Sequence, residues 1–297
     1  MKYSVNHTTT YMYSESVSVC HNEAYLTPRN FRNQSCQDHR LLITPIPSST
    51  VRRLDYFGNE VSCFSFNVGY VELKVKSLSH VTLDPLQPPE STVSPSWDEI
   101  VRTRQFDRSP EGLDAYEFAF VSPRIALSAS LRNYAVPSFG PGRPVVEALA
   151  ELTSRIHNDF QFDPTATTVT TPVDEVFERR RGVCQDFAHL QIAMLRSLGL
   201  PARYVSGYLL TTPPPGESGL IGADASHAWL SVYCGEFGWI DVDPTNNVFP
   251  NTQHITVAWG RDFSDVPPIK GVYTGGGDHT INVEVDVTPV NDQPGTG

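Results

Sequence analysis

The spacing of apolar residues changes twice along this chain of 297 residues, and that change limits the folds it can adopt. Residues 2–83 contain short runs in which apolar and polar residues alternate, which is the two-residue period of half-buried strands. From Pro144 the period lengthens to that of a helix, and from Arg203 it returns to two. Strands at both ends with helices between them predict an α+β fold.

The same pattern divides the chain. The first strands are expected at 11–20, 40–45, 60–65 and 70–75. Residues 84–142 hold many of the 24 prolines and predict an extended connection with one short helix near 96–106. We therefore expect a β-rich N-terminal domain at 1–83, the connection at 84–142, a core of helices and strands at 143–260, and a C-terminal strand with a polar tail at 261–297.

The most informative helix is predicted over residues 184–198, ended by Gly199 and Pro201. Cys184 is its first residue, where the partial positive charge of a helix N-terminus favours a thiolate over a thiol. The alternative is a small buried cysteine of the core, which is the usual fate of a free cysteine. Cys234 fits that alternative, because it shares a strand face with Leu230 and Val232.

A hairpin is expected after this helix, with strands over 226–234 and 238–243 and two glycines in the loop. If the loop centres on Gly235, His227 lies directly opposite Asp243. Opposed residues on one face of a sheet have Cβ atoms about 4.5–5.5 Å apart, within reach of a hydrogen bond. The hairpin can therefore hold an imidazole beside a carboxylate; a purely structural cross-strand pair is the alternative.

Composition excludes some partners and suggests a compartment. Lys plus Arg is 22 and Asp plus Glu is 33, so the formal charge of −11 argues against duplex nucleic acid and anionic membranes as partners. No apolar run is long enough for a transmembrane helix, and the first residues lack the apolar core of a secretory signal. Five cysteines are an odd number, which suits reduced thiols. These features predict a cytoplasmic protein.

Three separated motifs carry a family resemblance: GVCQDF at 182–187, SHAWLSVY at 226–233 and GWIDVDPT at 238–245. In this order they resemble the transglutaminase-like core of the papain-type cysteine enzymes. The N-terminal part, including the segment DYFGN at 55–59, resembles the β-domain that precedes this core in bacterial transglutaminase-like cysteine proteases. The resemblance implies a papain-like/transglutaminase core of helices packed on an antiparallel sheet, preceded by a β-rich N-terminal domain.

The resemblance also implies roles for three residues. Cys184 would be the nucleophile, His227 the general base and acid, and Asp243, rather than Asp241, the orienting carboxylate. Such a mechanism needs donors aimed at the oxyanion. The backbone N–H of Cys184 is a natural first donor. Gln185, Trp229 or a backbone group from elsewhere are candidates for the second donor, and Gln185 and Trp229 also for the cleft wall.

These residues predict a peptidase or amidase that cleaves an amide bond of a peptide or protein through an acyl-enzyme, without a cofactor or a metal. Two alternatives remain: transglutaminase-type acyl transfer to an amine, and a non-catalytic interaction protein on the same fold. A zinc set of Cys20, His21, Cys36 and His39 is disfavoured. Its spacing is irregular, and adjacent strand residues point to opposite faces.

Overall fold

A computed structural model describes residues 1–86, 90, 93–211, 219–223 and 225–290. Part of the segment between the predicted strands that begin at Arg203 and at Ser226, and most of the polar tail, lie outside these residues. Within the described ranges, no helix is both long enough and apolar enough to cross a membrane. The fold combines helices with mainly antiparallel sheets, which confirms the predicted α+β class.

A seven-stranded sheet forms around one long N-terminal strand. The predicted strands are present but longer than expected, and two strands that were not predicted, over 49–54 and 269–275, join them. In chain order they are β1 (Lys2–Ala24), β2 (Gln34–Thr44), β3 (Ser49–Leu54), β4 (Glu60–Phe66) and β5 (Tyr70–Leu83), joined at the end of the chain by β12 (Ile269–Gly275) and β13 (His279–Pro289). Strand β1 pairs with β5 and β13 along its first half and with β4 and β12 along its second half. The C-terminal segment therefore completes the N-terminal sheet.

The proline-rich region contains three short helices where one was expected: α1 (Trp97–Arg104), α2 (Pro110–Tyr116) and α3 (Ala129–Ala135). The reason is local. Pro110 occupies the first turn of α2, where its missing N–H costs no hydrogen bond, and the Ser109 hydroxyl caps that helix by accepting from Gly112 N. Ser128 caps α3 in the same way. Pro110, in a proline-rich segment expected to be extended, therefore begins a helix.

The core packs helices on a four-stranded antiparallel sheet in the order β10-β9-β8-β11. Its elements are α4 (Val145–Asp159), β6 (Gln161–Phe162), α5 (Val173–Arg179), β7 (Arg181–Gly182), α6 (Cys184–Leu198), β8 (Ala202–Leu209), β9 (His227–Tyr233), β10 (Trp239–Val242) and β11 (His254–Gly260). Helix α6 has the predicted bounds, and Gly199 ends it with a φ of 90°. This helix lies against β8 and β9 and is buried along almost its whole length.

Side chains from the N-terminal part hold the far edge strand of this sheet. Gln34 donates to the carbonyl of Thr256 and accepts from its N–H. Asn59 does the same with Trp259. Both contacts brace β11, which carries His254 into the centre of the molecule.

Candidate active site

Cys184 is held at the start of α6 by a carboxylate that the sequence did not single out. Asp186 Oδ2 accepts hydrogen bonds from Val183 N at 2.9 Å and from Thr167 Oγ1 at 2.6 Å. A Cβ at Gly182 would come within 2.6 Å of the same oxygen, so the glycine makes room for the carboxylate. The sequence could have indicated this contact, because a carboxylate at the third helical position forms half of a capping box.

The five cysteines are all free, and they differ in exposure. Cys184 is half-buried, whereas Cys234 is fully buried, as its strand face predicted. Burial raises the pKa of the Cys234 thiol well above its usual value. Cys234 is therefore a thiol of the core and a poor nucleophile.

His227 and Asp243 meet, although the predicted register was wrong. Strand β10 pairs with β9 so that Val242 lies opposite Leu230, which centres the loop on Glu236 and not on Gly235. A 3-10 turn at Gly235–Phe237 makes this difference. The shift keeps both side chains on one face, as diagonal neighbours. His227 Nε2 lies 2.9 Å from Asp243 Oδ2.

Asp243 is the centre of a buried hydrogen-bond cluster. Its Oδ2 accepts from His227, from His254 Nε2 at 3.0 Å and from Asn246 Nδ2 at 2.8 Å. Its Oδ1 accepts from the N–H groups of Thr245 at 2.9 Å and Asn246 at 3.3 Å. Burial alone raises the pKa of Asp243, but His227 and His254 outweigh it and hold that pKa far below its usual range. The carboxylate is therefore ionised.

The ionised carboxylate of Asp243 favours the protonated form of His227. Burial disfavours the imidazolium, but the charge of Asp243 and the neighbouring Cys184 raise the pKa of His227 to about 10. Since Nε2 is engaged by the carboxylate, Nδ1 is the nitrogen left for the thiol. Nδ1 is buried and has no hydrogen-bond partner among the described residues.

A loop backbone closes over this nitrogen. Asn246 binds the loop at Ile221, accepting from its N–H at 2.8 Å and donating to its carbonyl at 3.3 Å. The next residue is Gly222, where a Cβ would lie 2.9 Å from His227 Nδ1. Asn246 thus links Asp243 to the loop beside the imidazole. Neither Asn246 nor His254 was predicted from the sequence.

The two candidates for the second oxyanion donor fare differently. Trp229 is fully buried and its ring stacks on that of His227, with the ring centres 6.1 Å apart. Its Nε1–H donates to Asp241 Oδ2 at 3.2 Å. The donor of its side chain is therefore used by Asp241, and the buried ring does not line an open cleft. Its expected role at the oxyanion stays a prediction. Gln185 is half-buried beside Cys184, and its amide makes one long hydrogen bond of 3.4 Å to the carbonyl of Val169.

Among the described residues, one group offers three metal-ligand atoms close together. These are the nitrogens of His227 and His254 and an oxygen of Asp243, which all lie within 4.8 Å of one another. Both imidazoles reach Asp243 through Nε2, so hydrogen bonding already accounts for the arrangement. The disfavoured zinc set does not converge: Cys20 is buried and His21 is exposed.

Comparison with known proteins shows the family to which the chain belongs. The model of the transglutaminase-like superfamily matches residues 132–244, and that of the bacterial transglutaminase-like N-terminal region matches residues 3–82. An uncharacterized protein of Mycobacterium tuberculosis is 43% identical over 97% of this chain and 93% of its own length. The chain belongs to the transglutaminase-like superfamily. A second uncharacterized relative, from Mycobacterium leprae, is 35% identical over 96% of this chain and 97% of its own.

Two further similarities bear on this transglutaminase-like protein. A crystal structure from Cytophaga hutchinsonii, described as a "Putative Cysteine Protease", superposes with a TM-score of 0.75 at 23% identity. It covers 99% of this chain and 92% of the other. At that identity the likeness concerns the fold. A protein-glutamine gamma-glutamyltransferase of Pseudomonas aeruginosa is 30% identical over 50% of this chain and 24% of its own length.

Proposed function

We propose that this transglutaminase-like protein is a cysteine peptidase or amidase with Cys184, His227 and Asp243 as its catalytic residues. One observation carries the proposal: the buried carboxylate of Asp243 engages Nε2 of His227 and leaves Nδ1 for a thiol at a helix N-terminus. This is the arrangement of a nucleophile, a base and a group that orients the base.

The first half-reaction forms an acyl-enzyme. Because the pKa of His227 is raised to about 10, the proton of the Cys184 thiol is held on Nδ1 of His227 before the reaction, and the thiolate sulfur attacks the carbonyl carbon of the amide. The imidazolium then gives this proton to the leaving nitrogen as the C–N bond breaks. An amine leaves and a thioester remains on Cys184. Asp243 keeps the proton on Nε2 and stabilises the imidazolium.

The second half-reaction releases the acid. His227 takes a proton from water, the hydroxide attacks the thioester carbonyl, and the thiol of Cys184 is regenerated as the acid leaves. Both tetrahedral intermediates carry an oxyanion. The N–H of Cys184 is suited to stabilise it, because the first N–H groups of a helix have no partner within the helix. The half-buried amide of Gln185 remains our candidate for the second donor.

A second candidate function is transfer of the acyl group to a primary amine. It is favoured by the similarity of half of this chain to a protein-glutamine gamma-glutamyltransferase. The two functions share the acyl-enzyme and differ only in the nucleophile that resolves it.

Selective alkylation tests the proposed nucleophile. Iodoacetamide near neutral pH should label Cys184 faster than Cys63, which is also half-buried but lies in the N-terminal sheet. Peptide mapping with time gives both rates. The variant His227→Gln should slow the labelling of Cys184 and leave that of Cys63 unchanged. Equal rates for the two cysteines in the unaltered protein would contradict an activated thiol.

A product analysis then separates the two functions. A peptide library is incubated with the protein, with and without a primary amine, and the products are identified by mass spectrometry. Hydrolysis gives the same cleavage products in both samples, whereas acyl transfer gives amine adducts that depend on the amine. The variant Cys184→Ser should abolish both, and products that survive it would refute the acyl-enzyme.

A further inference from the structure

A small cavity lies on the side of the four-stranded sheet that faces the N-terminal part of the chain. Its volume is about 120 Å³. Its wall includes Arg32 from the segment before β2, Arg203 of β8, Asp241 of β10 and His254 of β11. The proposed acyl-enzyme mechanism does not use this cavity, but it shares one wall residue, His254, with the hydrogen-bond cluster of Asp243.

The unusual feature of this wall is Arg203. The residue is only 5% exposed. Its guanidinium carbon lies 4.1 Å from the ring centre of Trp239 and 3.8 Å from that of Trp259. Two indole rings therefore contact the guanidinium and hold the group in place by cation–π contact. The N–H groups of the guanidinium remain available for hydrogen bonds.

One of these N–H groups lacks a partner. Arg203 Nε is buried without a hydrogen-bond acceptor among the described residues. Asp241 attracts the guanidinium by its charge, but no hydrogen bond between the two side chains satisfies this nitrogen. A buried charged group is costly unless it is paired and hydrogen-bonded. A stacked, immobilised guanidinium that lines a cavity therefore indicates an acceptor that enters from outside.

The charges around the cavity favour an anion. Arg32 adds a second guanidinium, anchored by a hydrogen bond from Nη1 to the carbonyl of Trp239. Asp241 is the one carboxylate among the described residues of the wall, and it accepts from the indole of Trp229. Burial lowers the pKa of Arg203 to about 9, so the group is still cationic at neutral pH. Two arginines face one aspartate.

We propose that this cavity binds a small carboxylate through the N–H groups of Arg203, with Arg32 as the second cationic contact. The planar fork of a guanidinium matches a carboxylate through two parallel hydrogen bonds. The cavity volume limits the bound group to a few heavy atoms. The carboxylate could belong to a free small acid or to the end of a peptide chain. The proposal does not depend on the proposed catalytic function.

Calorimetric titration with acetate tests this site. Ionic strength is held constant with chloride, and acetamide serves as the neutral molecule of the same shape. We expect saturable binding of acetate and none of acetamide. The variant Arg32→Gln should weaken acetate binding roughly tenfold, which is the size of one lost hydrogen bond to a charged group. Arg40→Gln, an exposed arginine of β2 away from the cavity wall, should leave it unchanged.

A second variant tests the fork itself. Arg203→Lys keeps the charge but cannot form two parallel hydrogen bonds, so it should weaken acetate binding by more than Arg32→Gln does. Tryptophan fluorescence, reported by Trp239 and Trp259 beside Arg203, and the midpoint of thermal unfolding show whether this variant is folded. Glycylglycine and its C-terminal amide distinguish the two sources of the carboxylate. Acetate binding without glycylglycine binding identifies a free acid, and binding of both includes a chain end.

Two results would overturn the proposal. One is the absence of saturable acetate binding to the unaltered protein. The other is equal acetate affinity in Arg32→Gln, Arg40→Gln and folded Arg203→Lys, because ordered water would then satisfy the arginine and acetate would bind elsewhere.

Discussion

Two buried histidines of this protein lie in opposite electrostatic settings. His227 and His7 are each 1% exposed, and each has a ring nitrogen in a buried hydrogen bond. The Asp243 carboxylate, with the nearby thiol, overcomes the cost of burial and raises the pKa of His227 to about 10. His7 lies between the hydroxyls of Tyr208 and Thr9, at 2.9 and 2.8 Å, and burial lowers its pKa to about 4.

The difference shows that the partner, and not the degree of burial, decides what a buried histidine does. His227 beside a carboxylate is suited to hold and return a proton. His7 beside two hydroxyls stays neutral at pH 7 and joins β1 of the N-terminal sheet to β8 of the four-stranded sheet. One histidine is suited to catalysis, and the other is a structural contact between the two halves of the molecule.

Of the changes considered, removing the charge of Asp243, the partner of His227, should slow turnover the most. In Asp243→Asn the amide can donate to Nε2 and so drive the proton to Nδ1, where it faces the thiol. We expect turnover of a peptide found in the library to fall about 10⁴-fold, which is the size of the loss when a catalytic triad loses this charge. The matched control is Asp241→Asn, which changes the same group on β10 outside the triad. Similar losses in both variants would contradict the role of Asp243.

The features of the site that depend on neighbouring residues in the sequence could be predicted, whereas those that depend on contacts between distant segments could not. Helix α6 was predicted with its correct bounds, because Cys184 to Gly199 carries its own start, apolar stripe and stop. The pairing of His227 with Asp243 was predicted from a hairpin, which is also local. Its register was not, because the 3-10 turn at Gly235–Phe237 moves the loop centre by one residue.

The remaining neighbours of Asp243 depend on tertiary structure. His254 belongs to β11, which is not adjacent to β9 or β10 in the sheet, and it reaches the carboxylate across β8. Gly207 of β8 lies opposite His227, and a Cβ there would come within 2.5 Å of the Trp229 ring. No periodicity of a single segment indicates that such residues converge.

His254 offers a smaller test of the same carboxylate. His254→Phe removes one donor to Asp243 Oδ2, and we expect roughly tenfold slower turnover, the size of one hydrogen bond to a charged group. His254→Gln can still donate and should retain most of the rate. If His254 positions the carboxylate, the pH profile of Cys184 alkylation should shift in the phenylalanine variant only. Equal rates and profiles in the two variants would leave His254 a purely structural residue.

The smallest effect is expected at His7, and it concerns stability. The folded-state pKa of about 4 lies below the usual 6.5, so the contribution of neutral His7 is complete above pH 6.5 and is lost as the pH falls toward 4. For His227 the sign is reversed: its contribution is complete below pH 6.5 and is lost as the pH rises toward 10.

Chemical unfolding of His7→Gln, His227→Gln and the unaltered protein between pH 4 and 10 measures how the stability contribution of each histidine changes with pH. At pH 7 the loss of the His7 contacts should cost about 1–3 kcal/mol of unfolding free energy, while the labelling rate of Cys184 stays unchanged. The stability difference for His7→Gln should shrink as the solution is made acidic, and that for His227→Gln as it is made alkaline. If both differences changed in the same direction with pH, the contrast between a carboxylate partner and hydroxyl partners would be wrong.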